Sequence, residues 1–114
     1  HCPLTNETRN MISENELSLM RNNAILINTA RGALVDSQAL LEALVSKKIA
    51  GAAIDVLPQE PPVDGNCLLD YQDNNLILTP HIAWATSKAR QNAIDQLAKT
   101  ICAFQVGKKL NAIT

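Results

Sequence analysis

The sequence has no charge of either sign to spare: ten Lys and Arg stand against eleven Asp and Glu, a formal net charge of -1. That excludes the basic excess by which a chain holds nucleic acid or an anionic membrane surface. No apolar run approaches the roughly 20 residues that span a bilayer, and no signal-peptide pattern is present. A cytoplasmic home is the expectation. The three cysteines, Cys2, Cys67 and Cys102, form no C-x-x-C pair. Odd in number and far apart, they argue against a disulfide framework or a zinc site and fit reduced thiols. His1 beside Cys2 makes no metal cluster, so no metal site is expected. The four glycines, Gly32, Gly51, Gly65 and Gly107, are isolated, and no phosphate-cradling glycine loop appears. Nucleophile–base motifs, internal repeats and low-complexity segments are likewise missing.

What remains is ordinary globular composition, 46% hydrophobic and 18% charged over 114 residues. This is at most one domain, near the size at which a self-sufficient core becomes comfortable.

Hydrophobic periodicity divides the chain. Ser13 with Glu16 three residues on reads as a capping box, and Ile12 can staple onto Leu17, so a short helix is expected to end near 20–22. Residues 24–28 (Ala-Ile-Leu-Ile-Asn) form a continuous apolar run, the mark of a strand buried on both faces. A turn at 29–32 follows, with Gly32 letting the backbone turn beside Arg31 without a side chain in the way. Asp36 is the expected N-cap of a helix to about Lys48, with Leu40, Leu41, Leu44 and Val45 as its apolar stripe. Lys47 and Lys48 suit its C-terminal dipole. Residues 52–56 make the second buried run and enter a loop stiffened by Pro58, Pro61 and Pro62. Cys67-Leu68-Leu69 reads as one helical turn. Leu76-Ile77-Leu78 is the third run. A long helix from Thr86 or Ser87 to about Val106 closes the pattern, with a stripe of Ala89, Ala93, Ile94, Leu97, Ile101 and Phe104 and a stop at Gly107. Strands alternating with helices predict an α/β fold around a parallel sheet. The pairing of 52–56 with 76–78 is the weakest inference, because no full helix joins them.

The polar residues gather at the strand exits. Asn28 to Arg31 leave the first strand, Asp55 to Glu60 the second, and His81 the third. Parallel strands would bring one Arg, one Asp, one Glu and one His to the same edge, where open α/β sheets bind ligands. A guanidinium fork matches a carboxylate, so Arg31 is a candidate for holding an acidic substrate. His81 titrates near neutral pH, and a neighbouring Glu60 would favour the imidazolium and fix the ring. Asp55 interrupts an apolar run and needs a partner, either a ligand amide or a backbone N–H. Each has a plainer alternative: a surface arginine, an exposed loop acid, a histidine that satisfies a turn. Taken together, an arginine and an acid–histidine pair without a nucleophile suit hydride addition at a carbonyl, the hydride coming from a cofactor.

With those residues in hand, the chain resembles the D-isomer-specific 2-hydroxyacid dehydrogenases. The likeness lies in four segments: 1–5 (His-Cys-Pro-Leu-Thr), 27–36 (Ile-Asn-Thr-Ala-Arg-Gly-Ala-Leu-Val-Asp), 51–61 (Gly-Ala-Ala-Ile-Asp-Val-Leu-Pro-Gln-Glu-Pro) and 78–86 (Leu-Thr-Pro-His-Ile-Ala-Trp-Ala-Thr). The last is most like the glycerate dehydrogenase, or hydroxypyruvate reductase, branch. Glu60 disfavours the formate dehydrogenases, which carry glutamine there. The resemblance implies the second half of a Rossmann-type doubly wound parallel sheet with a long C-terminal helix. It implies that Arg31 binds the substrate carboxylate and that Glu60 and His81 relay the proton. It also implies that Cys2, Thr29, Ala30, Arg31, Asp55, His81, Ala83 and Trp84 approach the nicotinamide end of NAD or NADP. The partners implied are a small 2-oxo or 2-hydroxy acid and, in the full-length protein, a second copy in a homodimer. The pyrophosphate-binding G-x-G-x-x-G turn, the residue that chooses NAD over NADP and the substrate domain are not among these 114 residues. With His1 in place of Met, the expectation is a C-terminal piece, residues 1–114, of an NAD(P)-binding domain, inactive alone. A nucleotide-sensing co-repressor of the same fold is the alternative.

Overall fold

The computed structural model describes residues 2–111, so His1, at the head of the first family-like segment, lies outside the described residues. The chain divides into two compact units, His1–Ile82 and Ala83–Thr114.

In the first unit, helix α1 (Glu14–Leu19) starts where the sequence places it. The Glu16 carboxylate accepts from the Ser13 N–H at 2.9 Å and from its hydroxyl at 2.8 Å. Those bonds hold the Glu16 carboxyl below the usual carboxylate range. Helix α2 (Ser37–Val45) is capped by Asp36, whose Oδ1 accepts from the amides of Gln38 and Ala39. It ends at Val45 rather than Lys48. Lys47 enters the left-handed region at φ 54°, and Lys48 donates to the Met20 carbonyl at 2.7 Å instead of lying over the helix end.

Three short strands, β1 (Ile25–Asn28), β2 (Gly51–Ile54) and β3 (Leu76–Leu78), form one sheet in the order β1-β2-β3, parallel throughout. The pairing of β2 with β3 therefore forms without an intervening helix. The 55–75 connection is anchored instead by Leu68, fully buried in the core, by a turn in which the Leu69 amide donates to the Asn66 carbonyl, and by Asn75 donating to the Leu44 carbonyl.

One face of the sheet meets the helices. Leu26, Ala52, Ile54, Leu76 and Leu78 lie against Leu17 of α1 and Leu40, Ala43 and Leu44 of α2, with Ile49 and Leu68 completing the core. Each fully buried Leu or Ile contributes about 1.5–3 kcal/mol. The stripe of α2 is thus Leu40, Ala43 and Leu44, with Leu41 half-buried; Val45, assigned to it from the sequence, is exposed. The other face of the sheet also departs from the sequence expectation. Ile25 and Ile27 are 64% and 68% exposed, and Ile77 with them, so these strands are not buried on both faces. Ile27, Ala53 and Ile77 are register partners, which makes an apolar row across the sheet that no helix of this unit covers.

In the second unit, helix α3 (Ser87–Gln105) begins at Thr86, whose hydroxyl accepts from the Ala89 amide at 3.1 Å. It closes on Gly107 at φ 70°, with Lys108 N–H reaching the Ala103 carbonyl and Gly107 N–H the Phe104 carbonyl, a Schellman stop. Its predicted stripe is present in spacing but is not a core: no residue of α3 is buried, and Ile94, Leu97, Ile101 and Phe104 are all exposed. Among the described residues no helix is long and apolar enough to cross a membrane.

Candidate active site

Asn28, Ile54 and Leu78 are register partners, so the chain leaves all three strands along one edge of the sheet. Arg31, Asp55, Glu60 and His81 follow those exits directly.

The first exit is organised by Asn28, which is buried. Its side-chain oxygen accepts from the Ala30 amide at 3.1 Å, and its Nδ2 donates to the Arg31 carbonyl at 2.9 Å. One amide side chain therefore shapes the turn that presents Arg31. The Arg31 side chain is exposed, and its Nη1 donates to the Ala30 carbonyl at 2.6 Å. Together with Cys2, Pro3, Leu4, Thr29 and Ala30 it lines an open cavity of about 660 Å³.

At the second exit Asp55 is only 5% exposed. Its Oδ1 accepts from the Thr79 hydroxyl at 2.5 Å and from the Ile82 amide at 2.9 Å, while its carbonyl accepts from the His81 amide at 2.8 Å. Of the two partners open from sequence, the backbone N–H is the one seen here. A buried carboxylate is tolerable because it is satisfied in this way. It ties the turn after β3 to the end of β2.

That turn holds His81 at φ 55°, a left-handed conformation uncommon outside glycine and maintained only where surroundings impose it. His81 Nδ1 lies 2.7 Å from Glu60 Oε2, and the other carboxylate oxygen accepts from the Leu57 amide at 2.8 Å. Partial burial pushes the Glu60 carboxyl up. The hydrogen bond from His81, the one from Leu57 and the histidine's charge outweigh it, and the carboxyl sits below the ordinary glutamate range even with Asp55 nearby. An ionised Glu60 requires a proton on Nδ1, which makes Nε2 the nitrogen available for proton exchange. Asp55, Glu60 and His81 line a second, mostly apolar cavity of about 480 Å³, walled by Leu57, Leu69, Leu78 and Pro61.

The predicted residues are thus distributed over two cavities at one sheet edge. Cys2, Thr29, Ala30 and Arg31 share the first; Asp55, Glu60 and His81 share the second. Ala83 and the exposed Trp84 open the second unit. Sequence reasoning missed Asn28, Leu57 and Thr79 as supports. The signal for Asn28 was present, a polar residue ending a buried run just before a turn; Leu57 contributes only its amide and leaves no such mark.

Gly32 fits the expectation that a side chain there would be in the way. It begins a short 3-10 turn, Gly32–Leu34, and is not among the glycines with positive φ, Gly65 and Gly107. What it supplies is space, because the backbone of Leu57 and Pro58 lies directly against it.

A sequence profile of the NAD binding domain of D-isomer specific 2-hydroxyacid dehydrogenases matches residues 1–83, and the chain belongs to that family. It is 53% identical to the glycerate dehydrogenase of Methylorubrum extorquens over 99% of its own length and 36% of that protein's. It is 47% identical to the glyoxylate reductase of Thermococcus litoralis, covering 95% of this chain and 32% of the relative. An acyclic imino acid reductase (Bsp5), solved with NADPH and D-Arg, superposes on the whole chain and 36% of its own with a TM-score of 0.81 at 36% identity. The chain spans about a third of the length of the curated relatives it matches.

Proposed function

We propose that this chain is the C-terminal part of the nucleotide-binding domain of an NAD(P)-dependent D-2-hydroxyacid dehydrogenase. Its substrate would be a small 2-oxo or 2-hydroxy acid of the hydroxypyruvate/glycerate or glyoxylate kind. The observation that carries the reading is the Glu60 carboxylate strung between the Leu57 amide and His81 Nδ1, one strand exit away from Arg31.

The residues present suit the nicotinamide end of the dinucleotide. The first cavity is walled by the small side chains Thr29 and Ala30 beside Cys2, where a planar ring can approach the backbone. Cys2, Thr29 and Ala30 are the residues of this unit that would hold it there, with Asp55 at the neighbouring strand exit. When bound, the nicotinamide supplies or accepts the hydride that no side chain can.

The chain's own residues do the rest. Arg31 swings from the Ala30 carbonyl, an exposed single bond, to grip the substrate carboxylate with both arms of its fork. The substrate carbonyl is thereby oriented toward His81. Glu60 holds the imidazole by Nδ1 and so fixes the ring. In the reductive direction Nε2 gives its proton to the carbonyl oxygen as negative charge develops there; in the oxidative direction it takes the hydroxyl proton. Asp55 takes no proton in this scheme: it fixes the turn that aims the ring. The full-length protein is proposed to work as a cytoplasmic homodimer, without nucleic-acid or membrane partners.

The test is the intact protein assayed for NADH and NADPH oxidation with glyoxylate, hydroxypyruvate and pyruvate. Turnover of at least one acid, lowered about 10²–10⁴-fold by His81→Gln in folded protein, is expected. Nucleotide binding without turnover of any 2-oxo acid would favour the co-repressor alternative instead.

A further inference from the structure

We infer that Gly32 is a positioning residue: having no side chain, it seats the Arg31 turn directly on the Leu57-Pro58 peptide and so fixes the spacing between the arginine and the pair of Glu60 and His81. The inference rests on the dehydrogenase reading for its consequences, not for its geometry.

A Cβ on Gly32 would fall 2.0 Å from the Leu57 carbonyl carbon and 2.3 Å from both the Leu57 oxygen and the Pro58 nitrogen. All three are backbone atoms, so no side-chain rotation relieves the clash; one segment must move by about 1 Å or more. Neither moves alone. On one side, the Gly32 turn is tied through the Asn10 amide to Ala33, the Ile12 amide to Leu34 and the Asp36 amide to Ile12. On the other, the Leu57 amide holds Glu60, and Glu60 holds His81. An added methyl that pushes Leu57 away lengthens its 2.8 Å bond to Glu60 beyond useful range. One that pushes the turn instead shifts Arg31, the adjoining residue. Either way the two halves of the site lose their mutual register, and misplacement on the order of 1 Å costs about 10²-fold in rate.

Gly51 provides the matched control. A Cβ there would meet the Asn75 carbonyl oxygen at 2.7 Å, also backbone, but at the amino-terminal end of β2, away from the strand exits. Gly51→Ala therefore tests crowding alone.

The experiment is a pH titration of the Glu60 side-chain carboxyl carbon by NMR in the intact protein, for wild type, Gly32→Ala and Gly51→Ala, with His81 and Asp55 as the charged neighbours that face it. The expected result is a Glu60 midpoint raised in Gly32→Ala and unchanged in Gly51→Ala, with kcat lowered about 10²-fold only in the former. A folded Gly32→Ala protein with the wild-type midpoint, or an equal rise in Gly51→Ala, would overturn the inference. If Gly32→Ala does not fold, Gly32→Ala/Pro58→Ala, with a loop freed to yield, is read in the same way. If that also fails, the Leu57 amide proton of wild type must follow the Glu60 titration, and a flat response overturns the inference. Because the titration needs no turnover, a shifted midpoint in a protein lacking 2-oxo acid reduction would keep the positioning role and discard the dehydrogenase reading.

Discussion

Replacing Asp55 separates its role as a brace from that of any residue that merely fills space. Its Oδ1 accepts two hydrogen bonds, from the Thr79 hydroxyl and the Ile82 amide, in a site only 5% exposed. Hydrogen bonds to a charged acceptor contribute roughly 1.5–3 kcal/mol each, against about 0.5–1.5 kcal/mol for neutral ones. Asp55→Ala removes the buried acceptor and leaves the Thr79 hydroxyl and Ile82 amide without it, while relieving the burial of a carboxylate. The net loss is expected at about 2–4 kcal/mol. Asp55→Asn keeps an oxygen of the same shape in the same place and should lose about 1 kcal/mol. Urea unfolding of both variants, followed by circular dichroism with the slope held common, measures the difference. The alanine variant should also release His81 from its left-handed φ, visible as a changed shift of its amide, which donates to the Asp55 carbonyl. Variants that agree within about 0.5 kcal/mol, or a His81 amide indifferent to both, would refute the brace.

Leu44→Ala, at a fully buried position, should lose about 2–5 kcal/mol, whereas Val45→Ala next to it should lose less than about 0.5 kcal/mol; thermal melts distinguish them. Glu60 carries a depressed carboxyl in the folded state, so its contribution is present above the ordinary glutamate value of 4.5 and fades as pH falls through the lower folded one. The stability gap between wild type and Glu60→Gln should therefore close as pH falls below that value; a gap that widens on acidification would reverse the sign. The 114-residue chain by itself should not oxidise NADH with hydroxypyruvate, because no glycine-rich turn is present to hold the pyrophosphate. Turnover by the isolated chain would remove that requirement.

Local signals carried much of the fold. Asp36 and Thr86 advertise themselves as caps by residue type and spacing, and three apolar runs a helix or loop apart announce parallel strands. What periodicity does not encode is which face of a strand finds a cover. Ile25, Ile27 and Ile77 read as core residues, but only the face bearing Leu26 and Ile54 meets α1 and α2. The burial of Leu68 was not legible for the opposite reason: three apolar residues in a polar connection have no period to show which one fills the core beneath the loop. The charged members of the candidate site were legible because Arg, Asp, Glu and His are rare at the ends of buried runs. Their supports were not. The Leu57 amide is a backbone feature, and the bond from Arg31 to its own neighbour's carbonyl is a side-chain choice that no spacing rule anticipates.

The central claim is that His81, held by Glu60, exchanges a proton with a substrate whose carboxylate Arg31 grips. Steady-state kinetics of glyoxylate reduction by the intact protein, comparing wild type with His81→Gln and Arg31→Ala, test it most directly. His81→Gln should lower kcat by about 10²–10⁴-fold with little change in KM, and Arg31→Ala should raise KM as well as lower kcat. A His81→Gln protein that retains kcat within about threefold of wild type would lie far outside that range and contradict it.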